Sequence, residues 1–219
     1  MTLQQIKSRI RTSLDLWKNE GYKLMPEDLL EHIANQAQTE VRVDLRDVIE
    51  QHNSNFVADT RSYSLPEDFL LDHQLWVDAD TTTNFQGYLM ERRSYPELVE
   101  IGKRYDTTPD TNRPLRYTIR SDGIFEIDPI SSSTKRFDLW YVPIPSLMTT
   151  DNAQPDFKDV YHEIVFIKAK QMVAAEIPGR VNMSLLMDRK YAEMLQKYRP
   201  LALEKESRMI RVRATSVND

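Results

Sequence analysis

No cysteine occurs among the 219 residues, which excludes disulfides, thiolate metal sites and thiol nucleophiles. Glycine is scarce as well. The five glycines, Gly21, Gly87, Gly102, Gly123 and Gly179, stand far apart. No phosphate-cradling loop can be built from them, and no serine sits in a Gly-x-Ser-x-Gly elbow. No run approaches the ~20 apolar residues that a membrane-spanning helix needs. The first stretch, MTLQQIKSRIRTSLDLW, is amphipathic and lacks the continuous apolar centre of a signal peptide. That predicts a soluble protein that stays where it is made. Positive charge is in deficit, with 29 Lys and Arg against 34 Asp and Glu, a net −5. Such a chain is not drawn to nucleic acid phosphates by its overall charge.

The residues that remain for chemistry do not assemble into a known pattern. His32, His52, His73 and His162 are far apart. His162-Glu163 begins like a zinc-protease helix, but Phe166 stands where the second histidine must be. Asp44, Asp47 and Glu50 are placed near one face of a predicted helix, and Asp78 and Asp80 near a strand end. Paired carboxylates can serve a glycosidase or hold a cation; a solvated acidic face is the simpler account. Trp76, Tyr88, Tyr117, Trp140 and Tyr141 enrich the middle of the chain in aromatics. Rings on a sheet can stack bases, but with no basic residues interleaved a small β core explains them better. The composition therefore predicts a protein that is not an enzyme and needs no metal or cofactor.

The hydrophobic pattern is more informative. Leu3, Ile6, Ile10, Leu14 and Trp17 form one helical stripe, which Gly21 ends. Pro26, followed by Glu27 and Asp28, opens a second helix predicted to run to about Gln51, with Leu30, Ile33, Ala37, Val41, Leu45 and Val48 along it. From Phe56 to Met148 the period shortens. Phe56 to Ala58, Arg61 to Tyr63, Leu75 to Val77, Gly87 to Met90, Leu115 to Arg120, Ile124 to Ile127 and Phe137 to Tyr141 read as strands, with Asp122-Gly123 as a hairpin turn. Ser94 to Glu97 has capping-box spacing for one short helix. After Pro155, with Asp156 as cap, an apolar helix runs to Pro178-Gly179, and a last helix starts near Asn182 with Pro200 inside it.

The prediction is an α+β fold: a helical bundle from both ends of the chain with a small inserted β-sheet or barrel. Its parts are residues 1–53, the β-rich insertion 54–150, residues 151–206 and an extended C-terminal arm 207–219. In that arm Ile210, Val212 and Ala214 alternate with Arg211 and Arg213, after Arg208, which is a strand period. Arg208, Ile210, Arg211, Val212 and Arg213 are the candidate partner-binding residues, because an arm of this kind can add a strand to a neighbouring subunit.

Arg61-Ser62-Tyr63-Ser64-Leu65-Pro66-Glu67-Asp68-Phe69 is followed along the chain by Gly123-Ile124-Phe125-Glu126-Ile127-Asp128-Pro129. Phe137-Asp138-Leu139-Trp140-Tyr141 before Pro143 comes next, and then Leu147-Met148 leading through Pro155 into the apolar helix Tyr161 to Ala175. In this order the segments resemble the head-to-tail adaptor (connector, or neck) proteins of tailed bacteriophages. The likeness covers most of the chain, with the tail the least matched part. It implies a structural virion protein, assembled in the host cytoplasm. It implies a homo-oligomeric, dodecameric ring that docks on the portal protein and receives a tail or nozzle protein. DNA would pass through the lumen without specific binding, and no membrane is involved. A tail-completion or terminator protein, or a nucleic-acid-binding module using the aromatic β face and the tail arginines, are the alternatives.

Overall fold

The computed structural model describes residues 1–16, 25–78, 87–105 and 114–216, with the backbone alone for 101–105 and 200–216. The chain divides into two compact units: Met1–Val48 with Ile144–Asp219, and Ile49–Pro143.

The first unit is helical. Helix α1, Leu3–Ser13, opens with a reciprocal capping box in which the Gln5 amide donates to the Thr2 hydroxyl and the Thr2 amide to the Gln5 side chain. Two further amides of its first turn find backbone partners: Leu3 donates to the Ala153 carbonyl at 2.8 Å and Gln4 to Asp151 at 3.0 Å. Its buried stripe is the predicted one, Leu3, Ile6 and Ile10. Trp17 and Gly21, where the pattern was expected to end, lie outside the described residues.

Helix α2, Glu27–Leu45, buries Leu30, Ala34, Ala37 and Val41 completely. It stops six residues short of the predicted end. Arg46 takes the left-handed conformation, φ 51°, and its amide closes on the Arg42 carbonyl. The last two residues of the predicted helix, Glu50 and Gln51, are claimed by a tertiary alternative, because Glu50 to Phe56 form strand β1 with seven consecutive pairs to a distant strand.

Helix α4, His162–Glu176, is reached through a 3-10 turn, Asp159–Tyr161. Asp156 does not cap it. Its carboxylate instead accepts from the Ser146 amide at 3.1 Å and pairs with Arg42 at 3.3 Å. Ile164, Val165, Ile167, Ala169, Val173 and Ala174 are buried around most of the circumference, as a central helix requires. Helix α5, Val181–Ser216, packs against α4 through Met187 and Tyr191. It runs through Pro200 and takes in residues 207–216, so the predicted extended arm is helical over its described length. Three alternating apolar residues are too short a signal to oppose propagation from an established helix through Leu, Glu, Lys, Arg and Met.

Three side chains of α2 tie Ile144–Phe157 to it. The Asn35 amide donates to the Met148 carbonyl and Gln38 to Ser146, at 3.1 and 2.7 Å. Arg42, 1% exposed, donates to the Asp156 carbonyl and lies over the Phe157 ring. Tyr191 donates to Asp44 at 2.6 Å.

The second unit holds two four-stranded sheets. Strands are β1 Glu50–Phe56, β2 Ser62–Ser64, β3 Phe69–Val77, β4 Tyr88–Leu89, β5 Glu91–Arg92, β6 Arg116–Ile119, β7 Ile124–Asp128 and β8 Lys135–Pro143. Helix α3, Tyr95–Tyr105, lies between β5 and β6. The orders are β1-β8-β3-β4 and β2-β7-β6-β5. Pairing is antiparallel except between β5 and β6. The β6–β7 hairpin turns at Gly123, whose φ of 77° is the conformation glycine adopts without penalty. At the start of α3 the Glu97 carboxylate accepts from both the amide and the hydroxyl of Ser94, which is the glutamate half of the capping box that the spacing predicted.

Alternation fixes which faces meet. Phe137, Leu139 and Tyr141 of β8 point inward with Leu75 and Val77 of β3. Phe56 stacks on Phe137 at 4.4 Å between centroids, and Phe125 of the other sheet meets Phe137 edge-on at 5.5 Å. The two sheets therefore close on one aromatic core. β3 begins at Phe69, six residues before the strand read from sequence, because its first part is half-buried and carries no clean alternation.

Candidate functional surfaces

The carboxylates that looked adjacent in sequence are engaged separately. Asp44 accepts from Tyr191, Asp47 pairs with Arg42 at 3.7 Å, and Glu50 faces the Tyr141 hydroxyl at 3.4 Å. Asp78 pairs with Arg136 at 3.1 Å. Asp80 lies outside the described residues. Among the described residues, no three histidine or carboxylate groups come together as a metal site would require. His162 spends both ring nitrogens on structure. Its Nε2–H donates to the Phe157 carbonyl at 3.0 Å, and its Nδ1 accepts from the Met1 ammonium at 2.7 Å.

The aromatics split between two roles. Tyr117 is core, and its hydroxyl donates to the buried Asp72 at 2.9 Å, which also holds Arg92 at 2.8 Å. Burial, and then the Asp72 charge, push the Tyr117 hydroxyl well above the ordinary tyrosine range. Burial and a bond to Asp68 do the same for Tyr141, and burial and Asp44 for Tyr191. Trp76 and Trp140 are half-buried and lie on the outer face of the first sheet, since Trp76 pairs with Asp138 and Gln74 with Trp140. The buried carboxylate of Asp138 shares that face and lies beside Arg136.

Clefts open on the surface among the described residues. One, of about 480 Å³, is lined by Arg92, Arg93, Tyr95 and Glu97 in the β unit. Its arginines are neutralised, Arg92 by Asp72 and Arg93 by Glu91 at 2.5 Å. Another, of about 410 Å³, lies among α1, α4 and α5. Arg9 holds Glu163 through two bonds of 2.7 and 3.0 Å and lies 4.0 Å from the Phe166 ring centre. Lys170 and Lys190 line the same cleft. Burial, then the like charges of Lys190 and Arg9, hold the Lys170 ammonium below its ordinary range. Sequence reading missed this cleft, because its cations come from three helices with no local motif joining them.

Of the candidate arm, Arg208, Ile210, Arg211, Val212 and Arg213 lie on the backbone of the last turns of α5. Residues 217–219 lie outside the described residues.

A helical unit assembled from both ends of the chain, with a two-sheet β unit inserted, makes this an α+β protein whose notable features are surfaces and buried braces. The profile of the SU10 adaptor protein family matches residues 1–215. The chain belongs to that family, and so to the structural adaptor proteins of bacteriophage virions. No curated protein matches it.

Proposed function

We propose that the protein forms a homo-oligomeric, dodecameric ring in the phage neck, docks on the portal protein and joins it to the downstream tail or nozzle protein, with DNA passing through the lumen. The family match over residues 1–215 carries this reading. The net charge of −5 favours a lumen to which DNA does not adhere. Portal contact is assigned to residues 207–219, with Arg208, Ile210, Arg211, Val212 and Arg213 as its gripping side chains. That segment, helical over residues 207–216, meets the partner as peptide elements in subunit contacts do.

Co-expression with the portal protein of the same phage, followed by electron microscopy, tests both parts. The full chain should appear as a ring on the portal. A chain lacking 207–219 should keep its thermal unfolding midpoint and lose most docking. Normal docking by the truncated chain removes the assigned segment. Binding to tail tubes in place of portals makes the protein a terminator. Salt-sensitive binding to duplex DNA without ring formation makes it a nucleic-acid-binding module.

A further inference from the structure

We infer that ring neighbours join through the helical unit: the apolar and acidic stripe Val181, Leu185, Asp188 and Ala192 on α5 of one copy docks into the cationic cleft among α1, α4 and α5 of the next. This inference rests on the ring reading above and adds to it the surfaces that meet.

The cleft has the chemistry of a receptor for an acidic helix. Phe166, Ile167 and Met187 give it an apolar floor, and Arg9, Lys170 and Lys190 surround that floor. Glu163 answers one of the three charges, through Arg9. Lys170 and Lys190 have no ion-pair partner among the described residues. A half-buried ammonium beside two like charges, displaced from its ordinary range, is a group whose environment improves when an anion arrives.

The stripe is the complement. At ~100° per residue Val181, Leu185, Asp188 and Ala192 fall within about 60° of one another on α5. Val181 is 62% and Leu185 55% exposed, large values for such side chains. Asp188 is exposed and has no ion-pair partner among the described residues. An apolar pair followed by a carboxylate at i+3 is what an apolar floor rimmed by ammonium groups accepts.

Position on the helix then decides the symmetry. Lys190 lies about 170° around α5 from the centre of the stripe. Two different surfaces on opposite sides of one helix make a heterologous contact, which propagates head to tail and closes when the rotation allows. A self-complementary pair would have stopped at a dimer. A DNA duplex is a poorer occupant. It presents a charge every ~1.7 Å and asks for a row of cations along its length, whereas this recess holds three around an apolar floor with a carboxylate at the rim.

The experiment uses the full chain with and without portal, measured by native mass spectrometry. Variants Lys190→Glu and Asp188→Lys each alter an exposed charge with no ion-pair partner among the described residues, and circular dichroism checks that both fold. Each alone should weaken ring formation at least tenfold. Mixed in equal amounts they should assemble again, because the lysine of one stripe now meets the glutamate of the other cleft. Normal rings from either single variant overturn the inference and leave the ring reading standing. Failure of the mixture to recover also overturns it. Intact rings combined with lost affinity for a short DNA duplex make the cleft a nucleic acid site and overturn it as well. A wild-type chain that forms no ring even with portal removes the ring reading itself, and the docking with it.

Discussion

Replacement of Arg42 by alanine destabilises the helical unit by about 3–5 kcal/mol, the range for removing one partner of a buried ion pair. The magnitude follows from who loses what. Arg42 and Asp47 side chains are 1% and 5% exposed, so the carboxylate left behind cannot recover its loss from water. The pair with Asp156 adds little, roughly 0–1 kcal/mol, because that side chain is 50% exposed and screened. The bond to the Asp156 carbonyl and the contact with the Phe157 ring go too, and their loss falls within that same range. Urea unfolding followed by circular dichroism at 222 nm reads the change without screening charge. For a slope near 2 kcal/mol per molar, the midpoint drops by about 2 M. Asp47→Asn in the Arg42→Ala background should recover at least ~1 kcal/mol, since it removes a buried charge that has lost its guanidinium. Arg42→Lys keeps the charge but loses the planar fork, and falls between. A loss below ~1 kcal/mol, or no recovery on neutralising Asp47, refutes the reasoning.

Tyr117→Phe leaves the buried Asp72 without its hydroxyl donor and lowers β-unit stability by about 1–3 kcal/mol in the same urea assay. Tyr117, Tyr141 and Tyr191 all have hydroxyls raised above the ordinary value near 10. In the unfolded chain they ionise near pH 10 while in the fold they keep their protons, so stability holds below that pH and falls as pH rises beyond it. Ultraviolet titration should show three tyrosines silent until the protein unfolds. Arg46→Gly relieves a left-handed, non-glycine helix end and should raise stability by about 0.5–1 kcal/mol in thermal melts.

Helical stripes were readable wherever burial was one-sided. Leu3, Ile6 and Ile10, and then Leu30 to Leu45, announced their helices because each buries one face. What failed were decisions made by distant partners. Glu50 to Phe56 carries no apolar alternation, and only its pairing with β8 makes it a strand. Helix in residues 207–216 is inherited from the preceding turns and not signalled by Ile210, Val212 and Ala214. Asp44, Asp47 and Glu50 looked like a cluster from their spacing, yet Tyr191, Arg42 and Tyr141 divide them. The cationic cleft was invisible for a related reason, since Arg9, Lys170 and Lys190 meet through packing alone.

The register of β1 on β8 has a bearing on how the chain folds. Glu50 faces Tyr141, so the excursion from Ile49 to Pro143 leaves and returns by neighbouring strands. Once that clasp forms, the two halves of the helical unit are joined as if by a loop of a few residues. For a loop shortened from nearly a hundred residues to about four, closure entropy falls by roughly 3 kcal/mol. The β unit thereby acts as an intramolecular template. Strand pairing converts the most distant helix contacts in the chain into effectively local ones, so lesions that weaken the clasp should slow the assembly of helices they never touch.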